Sequence, residues 1–266
     1  MADVGLRALR DALRGIVYWV VGIVLLDALT VSIYPSVRDS PQFADLTEQY
    51  PEEIQAFLGG EIDFTTGPGY LEAELFSLMV PLMLLVYTIS AGSRAIAGEE
   101  QAGTLDLLLA NPVRRGAVVA GKLGALVVQS GILALAIFAS IAAVGAAVDL
   151  DVTLQGLAAA TVAAWLLALL HGALALLVGA ATGSRAAAIA VPSAVAVVAY
   201  LLDGLGTIVG FLEPFRVLSV FHWYTAPDPL RGDYGPGWIA LLLAFGVALG
   251  LAALPAFARR DVGVKR

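Results

Sequence analysis

Two ionisable side chains, Asp27 and His171, stand inside stretches otherwise built mostly from Ala, Val, Leu and Gly. A carboxylate within a membrane span is costly and by default marks a transport pathway or a helix pair. Asp27 lies about two turns from Tyr34, so an outer, solvated position is open beside those roles. His171 has no second His, Glu or Cys at ligand spacing, which favours a packing histidine over a metal ligand. His222 falls in an aromatic segment and is expected to be exposed. Cys is absent, so there is no disulfide framework, thiolate site or Cys nucleophile. No HExxH, GxSxG, phosphate loop or dinucleotide fingerprint occurs, nor do two carboxylates face each other within an apolar stretch. No catalytic residue, metal or cofactor is therefore assigned to the chain, and an intramembrane enzyme is set aside.

The elements that must position these residues are apolar. Of the 266 residues, 59% are hydrophobic and only 14% charged. The apolar residues come in six blocks, at 16–34, 71–93, 117–148, 154–182, 186–202 and 236–257. A helix rises about 1.5 Å per residue and the hydrocarbon core is about 30 Å thick, so each block reads as a span. The third and fourth are longer than needed and should tilt or project. The fifth is short and holds Pro192, whose freed backbone must be covered by neighbouring helices. The first comes after Arg7, Arg10 and Arg14 and reads as a retained span rather than a cleaved leader. The expected fold is an all-α membrane protein of six transmembrane helices, one domain over 1–266.

Basic residues set the orientation. With both termini cytoplasmic, twelve of the fifteen Lys and Arg lie inside, for a net +6, while the outer segments carry −12. The acidic balance belongs to the outer face, and it argues against nucleic acid as a partner. The chain reads as a multi-pass protein of the cell membrane.

Three connections are long enough to carry structure. Residues 35–70 form an acidic outer loop, and residues 203–235 an aromatic outer segment. Phe211, Phe215, Phe221, Trp223 and Tyr224 suit the headgroup layer, so that segment reads as an interfacial anchor or re-entrant helix. Residues 94–116 form an inner loop. Gly103 interrupts it, and Thr104 is placed to cap a new short helix by accepting a backbone N–H. Asp106 suits the positive end of that helix. Leu105, Leu108 and Leu109 share one face, and Pro112 ends the helix by biasing Asn111 away from it. This apolar face has no domain of its own to pack against. It either lies on the membrane surface or docks on a soluble partner.

Residues 98–113, GEEQAGTLDLLLANPV, resemble the first cytoplasmic loop of permeases in the type-2 ABC exporter family, which carries G-E-x-x-x-G-T-L-x-x-L-L-x-x-P-V. The outer FRVLSVFHWYTAPDPLRG is similar to the L-S-P-F-x-Y…DPL…G stretch before the last span, with Val220 where Pro is usual. The resemblance implies a coupling helix that rests on a separate ATPase subunit. It places Glu99, Glu100, Gly103, Thr104, Leu105, Leu108 and Leu109 at that contact. It also implies ATP bound by the partner alone, and a second permease chain, identical or related. The rival reading is a secondary transporter driven by an ion gradient. That would require paired intramembrane charges and broken helices in corresponding halves.

Overall fold

In hydrocarbon a chain must pair its own backbone amides, and a continuous apolar run does so as a helix. A computed structural model describes residues 2–40, 63–105 and 114–260, with side chains from residue 4 onward. Helix α1 covers Ala2–Arg38. Helix α2 runs over Gly67–Gln101, broken near Leu78 and carrying π-helical turns at Glu72–Phe76 and Arg94–Gly98. After it come α3 (Arg115–Ala147), α4 (Leu154–Thr182), α5 (Arg185–Gly206), the short α6 (Val220–Thr225) and α7 (Pro236–Ala258). All but α6 are long and apolar enough to cross a membrane. Among the described residues there is no sheet.

Every expected span falls within these helices to within one residue, and several extend further. Helix α5 is 22 residues long and not cut short at Pro192. Pro192 and Ala188, whose carbonyl the proline deprives of its amide, are both buried against the bundle. Thr153 and Ser184 cap α4 and α5, each accepting the amide three residues on, at 3.1 and 3.2 Å. Gly183 ends α4 at φ +67°, the left-handed conformation that glycine adopts at least cost.

Helix α4 is the most enclosed of the six and packs on α2, α3, α5 and α7. Its tightest approach is to α2. A Cβ built on Gly92 would stand 2.2 Å from the Gly172 carbonyl oxygen, so only glycine fits there. Thr88 donates to the Ala168 carbonyl at 2.7 Å beside that contact.

The bundle has a basic end, where α2 finishes, and an acidic end, where α1 finishes. At the acidic end Tyr70 donates to the Thr30 carbonyl at 2.7 Å and Tyr34 to the Thr65 carbonyl at 3.1 Å, joining α1 to α2. The segment between α5 and α7 folds back here. Ser219 caps α6, accepting from the Phe221 and His222 amides, and donates to the Ala199 carbonyl at 2.7 Å. The aromatic cluster divides. Phe211 and Phe215 are exposed, whereas Phe221, Trp223 and Tyr224 are buried against the spans. Tyr224 donates at 2.6 Å to the Phe76 carbonyl, next to the break in α2 ahead of Pro81. Burial pushes the Tyr224 phenol above its usual range, which keeps the donor proton in place.

Candidate functional site

The site expected from the sequence begins where α2 leaves the bundle. The π-helical turn Arg94–Gly98 adds a residue to one turn, rotating the end of α2 by about 100° relative to an unbroken helix. Ile96 and Ala97 are thereby wholly buried, Ala97 facing Gly179 of α4. Glu99 and Glu100 then point to different neighbours. Glu99 is ion-paired with Lys122 of α3. Glu100 is ion-paired with Arg260, just past α7.

Arg260 ties several chains of contact together. Its guanidinium also donates to the Gly179 and Ala180 carbonyls at 3.0 and 3.2 Å. These lie in the last turn of α4, where the helix dipole favours a cation. The Arg260 carbonyl accepts from Arg115, whose guanidinium sits 5.9 Å from the Phe257 ring centroid. A side chain at Gly183 would meet both Arg260 and Glu100 near 3 Å, so this corner needs glycine for space as well as for φ. Two ion pairs and one arginine thus join the ends of α2, α3, α4 and α7.

Gly103 has φ +69° and breaks the helix as expected. The Thr104 hydroxyl donates to the Glu99 carbonyl at 3.1 Å, and the amides it would accept as a cap, from Asp106 onward, lie outside the described residues. Leu105 differs from expectation. It was expected on a face with nothing of its own to pack against. It is fully buried, in a small apolar cluster with Ile96, Val119, Leu176, Ala180, Ala253 and Phe257. The reason is the turn at Gly103, which folds the chain back under the bundle. Leu108, Leu109 and Asp106 lie outside the described residues.

Asp27 is not solvated. It is wholly buried between α1 and α3 and accepts at 2.6 Å from Ser140, while its second oxygen, Oδ1, has no hydrogen-bond partner among the described residues. His171 is equally buried. Its Nδ1 lies 2.8 Å from the Leu167 carbonyl, Nε2 has no hydrogen-bond partner among the described residues, and its ring meets Phe221 at 6.5 Å. Among the described residues no three His, Asp or Glu approach one another as metal ligands would.

Asp203 reads in the sequence only as an outer charge, yet it organises the segment between α5 and α7. Buried at the end of α5, it accepts from Arg216 at 3.1 Å, His222 at 3.0 Å and Thr225 at 2.6 Å. His222 is therefore half-buried rather than exposed, and it packs edge-on against Trp238. Beside it a cavity of about 410 Å³ opens between α2 and the segment that links α5 to α7. At its rim Arg231 bridges Asp228 and Glu72 at 2.6 and 2.8 Å. Partial burial opposes the Arg231 charge, but those two carboxylates outweigh it and hold its pKa above the ordinary arginine value.

A search of curated proteins found no match. A family model described as ABC-2 family transporter protein matches residues 7–262, from the first turns of α1 to past the end of α7. The chain belongs to the ABC-2 family of membrane transporter proteins.

Proposed function

We propose that the chain is the membrane-spanning permease subunit of an ATP-driven exporter, a single permease domain over 1–266. ATP is bound and hydrolysed on a separate ATPase subunit, and two permease chains, identical or related, pair in the membrane. Both termini and the basic end face the cytoplasm. The observation that carries this reading is the cross-linked corner after α2. A push on residues 98–113 cannot stay local, because Glu99–Lys122 and Glu100–Arg260 pass it to α3, α4 and α7. Packed helices answer such a push by shifting as units. Glu99 and Glu100 act as transmitters of motion, and Leu105 as the anchor of the lever. The docking surface belongs to exposed positions such as Gln101, and to Leu108 and Leu109.

The ion-driven alternative draws support from the buried Asp27. Its requirement for a matching charge is unmet among the described residues, where Ser140 alone faces the carboxylate with a hydrogen bond.

The test uses the Cys-free background. Gln101→Cys, co-expressed with an ABC-type ATPase subunit, should form a cross-link to that subunit with a short bismaleimide. Its yield should change when ATP is added with hydrolysis blocked. A chain that copurifies with no ATPase and forms no cross-link would overturn the reading.

A further inference from the structure

A second cavity, of about 520 Å³, lies at the basic end between α1, α2 and α3. Its origin is a divergence of helices. Helix α1 tracks α3 along its length, and a Cβ on Gly5 would sit 3.3 Å from the Gly121 carbonyl oxygen. Helix α1 joins α2 chiefly at the acidic end, through Tyr34 and Tyr70. Towards the basic end the two part, leaving a cleft. The apex of the cleft is closed by Trp19, edge-on to Tyr87 at 5.7 Å, and by the Tyr87–Gln129 hydrogen bond at 3.0 Å.

From Tyr87 to Ala102 the cleft runs beside α2 for about 22 Å, roughly one leaflet of a bilayer with its headgroups. Its chemistry changes along that length. The deep part is lined by Trp19, Ala91 and Leu126, and the mouth by charged side chains. There Lys122 and Glu99 neutralise each other. Arg94 and Arg185 are exposed at the mouth and have no ion-pair partner among the described residues. Among the described residues one unpaired acid, Asp11, stands against these two cations.

We propose that this cleft is a binding site for a lipid-like amphiphile with an anionic headgroup, admitted from the inner leaflet. The headgroup meets Arg94 and Arg185, and the chain lies along Trp19 and Leu126. This deepens the transporter reading, on which it rests, by naming the substrate class.

The probe is a photoactivatable phosphatidylglycerol, with a phosphatidylcholine of the same chains as comparison. Both are offered to the purified full chain in nanodiscs. Phosphatidylglycerol should label peptides of α1 and α2 that border the cleft. Unlabelled phosphatidylglycerol should compete, whereas phosphatidylcholine and inorganic phosphate should not. Arg94→Gln with Arg185→Gln should lower the labelling about tenfold, while Arg259→Gln, outside the cleft, leaves it unchanged. Gly15 lines the cleft and a Cβ there meets nothing within 4 Å, so Gly15→Trp starts from open space, should narrow the cleft and should abolish labelling. Equal labelling by both lipids, persistence in Gly15→Trp, or displacement by inorganic phosphate would each overturn the proposal. The assay contains no ATPase, so its failure leaves the cross-linking result at Gln101 standing, and the converse holds too.

Discussion

Glu100 is ion-paired with Arg260, 160 positions further along the chain. Both side chains are mostly shielded, at 28% and 15% exposure, so the pair should count for more than a free surface bridge. Glu100→Arg or Arg260→Glu alone should lower stability by about 1–2 kcal/mol and uncouple ATP hydrolysis from transport. The double exchange should recover coupling but only part of the stability, because a carboxylate at position 260 cannot donate to the Gly179 and Ala180 carbonyls. Thermal unfolding of the purified chain and ATPase stimulation in the complex read the two effects. If Glu100 served docking instead, the double exchange would be as stable but still uncoupled.

Leu105 makes a different prediction from the one its sequence invites. A residue on an exposed coupling face could be changed to Asp without harm to the fold. Leu105 is instead fully buried, packed with the apolar side chains of its small cluster. Leu105→Ala should cost about 2–4 kcal/mol, and Leu105→Asp more, since the carboxylate would lack a partner. Yield and melting temperature in detergent should fall before any assay of coupling. Unchanged melting of Leu105→Ala would place that side chain outside the cluster.

Span positions were legible because apolar runs of this length have one solution in hydrocarbon; 154–182 coincides with Leu154–Thr182. The breaker at Gly103 was legible for a similar reason, as a local backbone preference. What stayed hidden was pairing. Glu99 and Glu100 look like free acids until Lys122 and Arg260 arrive from α3 and α7, and no local pattern announces such meetings. Lys122, a lone lysine inside an apolar block, was the one available signal. Phe221 and Phe215 share a composition-based expectation, but the Ser219 cap turns only the first inward. Asp203 was missed because its three partners come together only when the segment folds back.

Orientation is open to a direct measurement. By the positive-inside rule, the excess of Lys and Arg at the basic end predicts that it faces the cytoplasm. In intact cells an impermeant thiol reagent should label Ser40→Cys and spare Gln101→Cys. Permeabilised cells should show both labelled. The reverse pattern would invert the topology and, with it, the proposed leaflet of the cleft.

The Asp27–Ser140 contact ties α1 to α3 in a wholly buried place. Asn at position 27 keeps an oxygen for the Ser140 hydroxyl, so Asp27→Asn should be nearly neutral for stability. Ser140→Ala leaves the carboxylate without its hydrogen bond and should cost about 1–3 kcal/mol. Asp27→Leu removes the polar group with its need for a partner, and should be milder than Ser140→Ala. Thermal unfolding of the three variants orders them. Transport by Asp27→Asn at the wild-type rate would show that Asp27 joins helices. Its loss without loss of stability would give the carboxylate a pathway role.

Asp203 holds the segment between α5 and α7 from one point, so its removal should loosen that segment and little else. Arg216 comes from the 3-10 turn Glu213–Leu218, and His222 and Thr225 from α6. All three converge on a carboxylate that is only 7% exposed. Asp203→Ala leaves a buried space and deprives Arg216 of its counter-charge, for about 2–3 kcal/mol. Asp203→Asn keeps one acceptor and should cost about half as much. The structural signature is local. Amide hydrogen exchange should quicken over 213–226 in Asp203→Ala, while the far end of α4 keeps its protection, because Ala97 and Arg260 hold it at Gly179. Trp223 and Tyr224 should lose their places as well, since the Tyr224 bond to the Phe76 carbonyl needs α6 seated. Exchange over 213–226 that matches wild type would show that Ser219 and the buried aromatics hold the segment without Asp203.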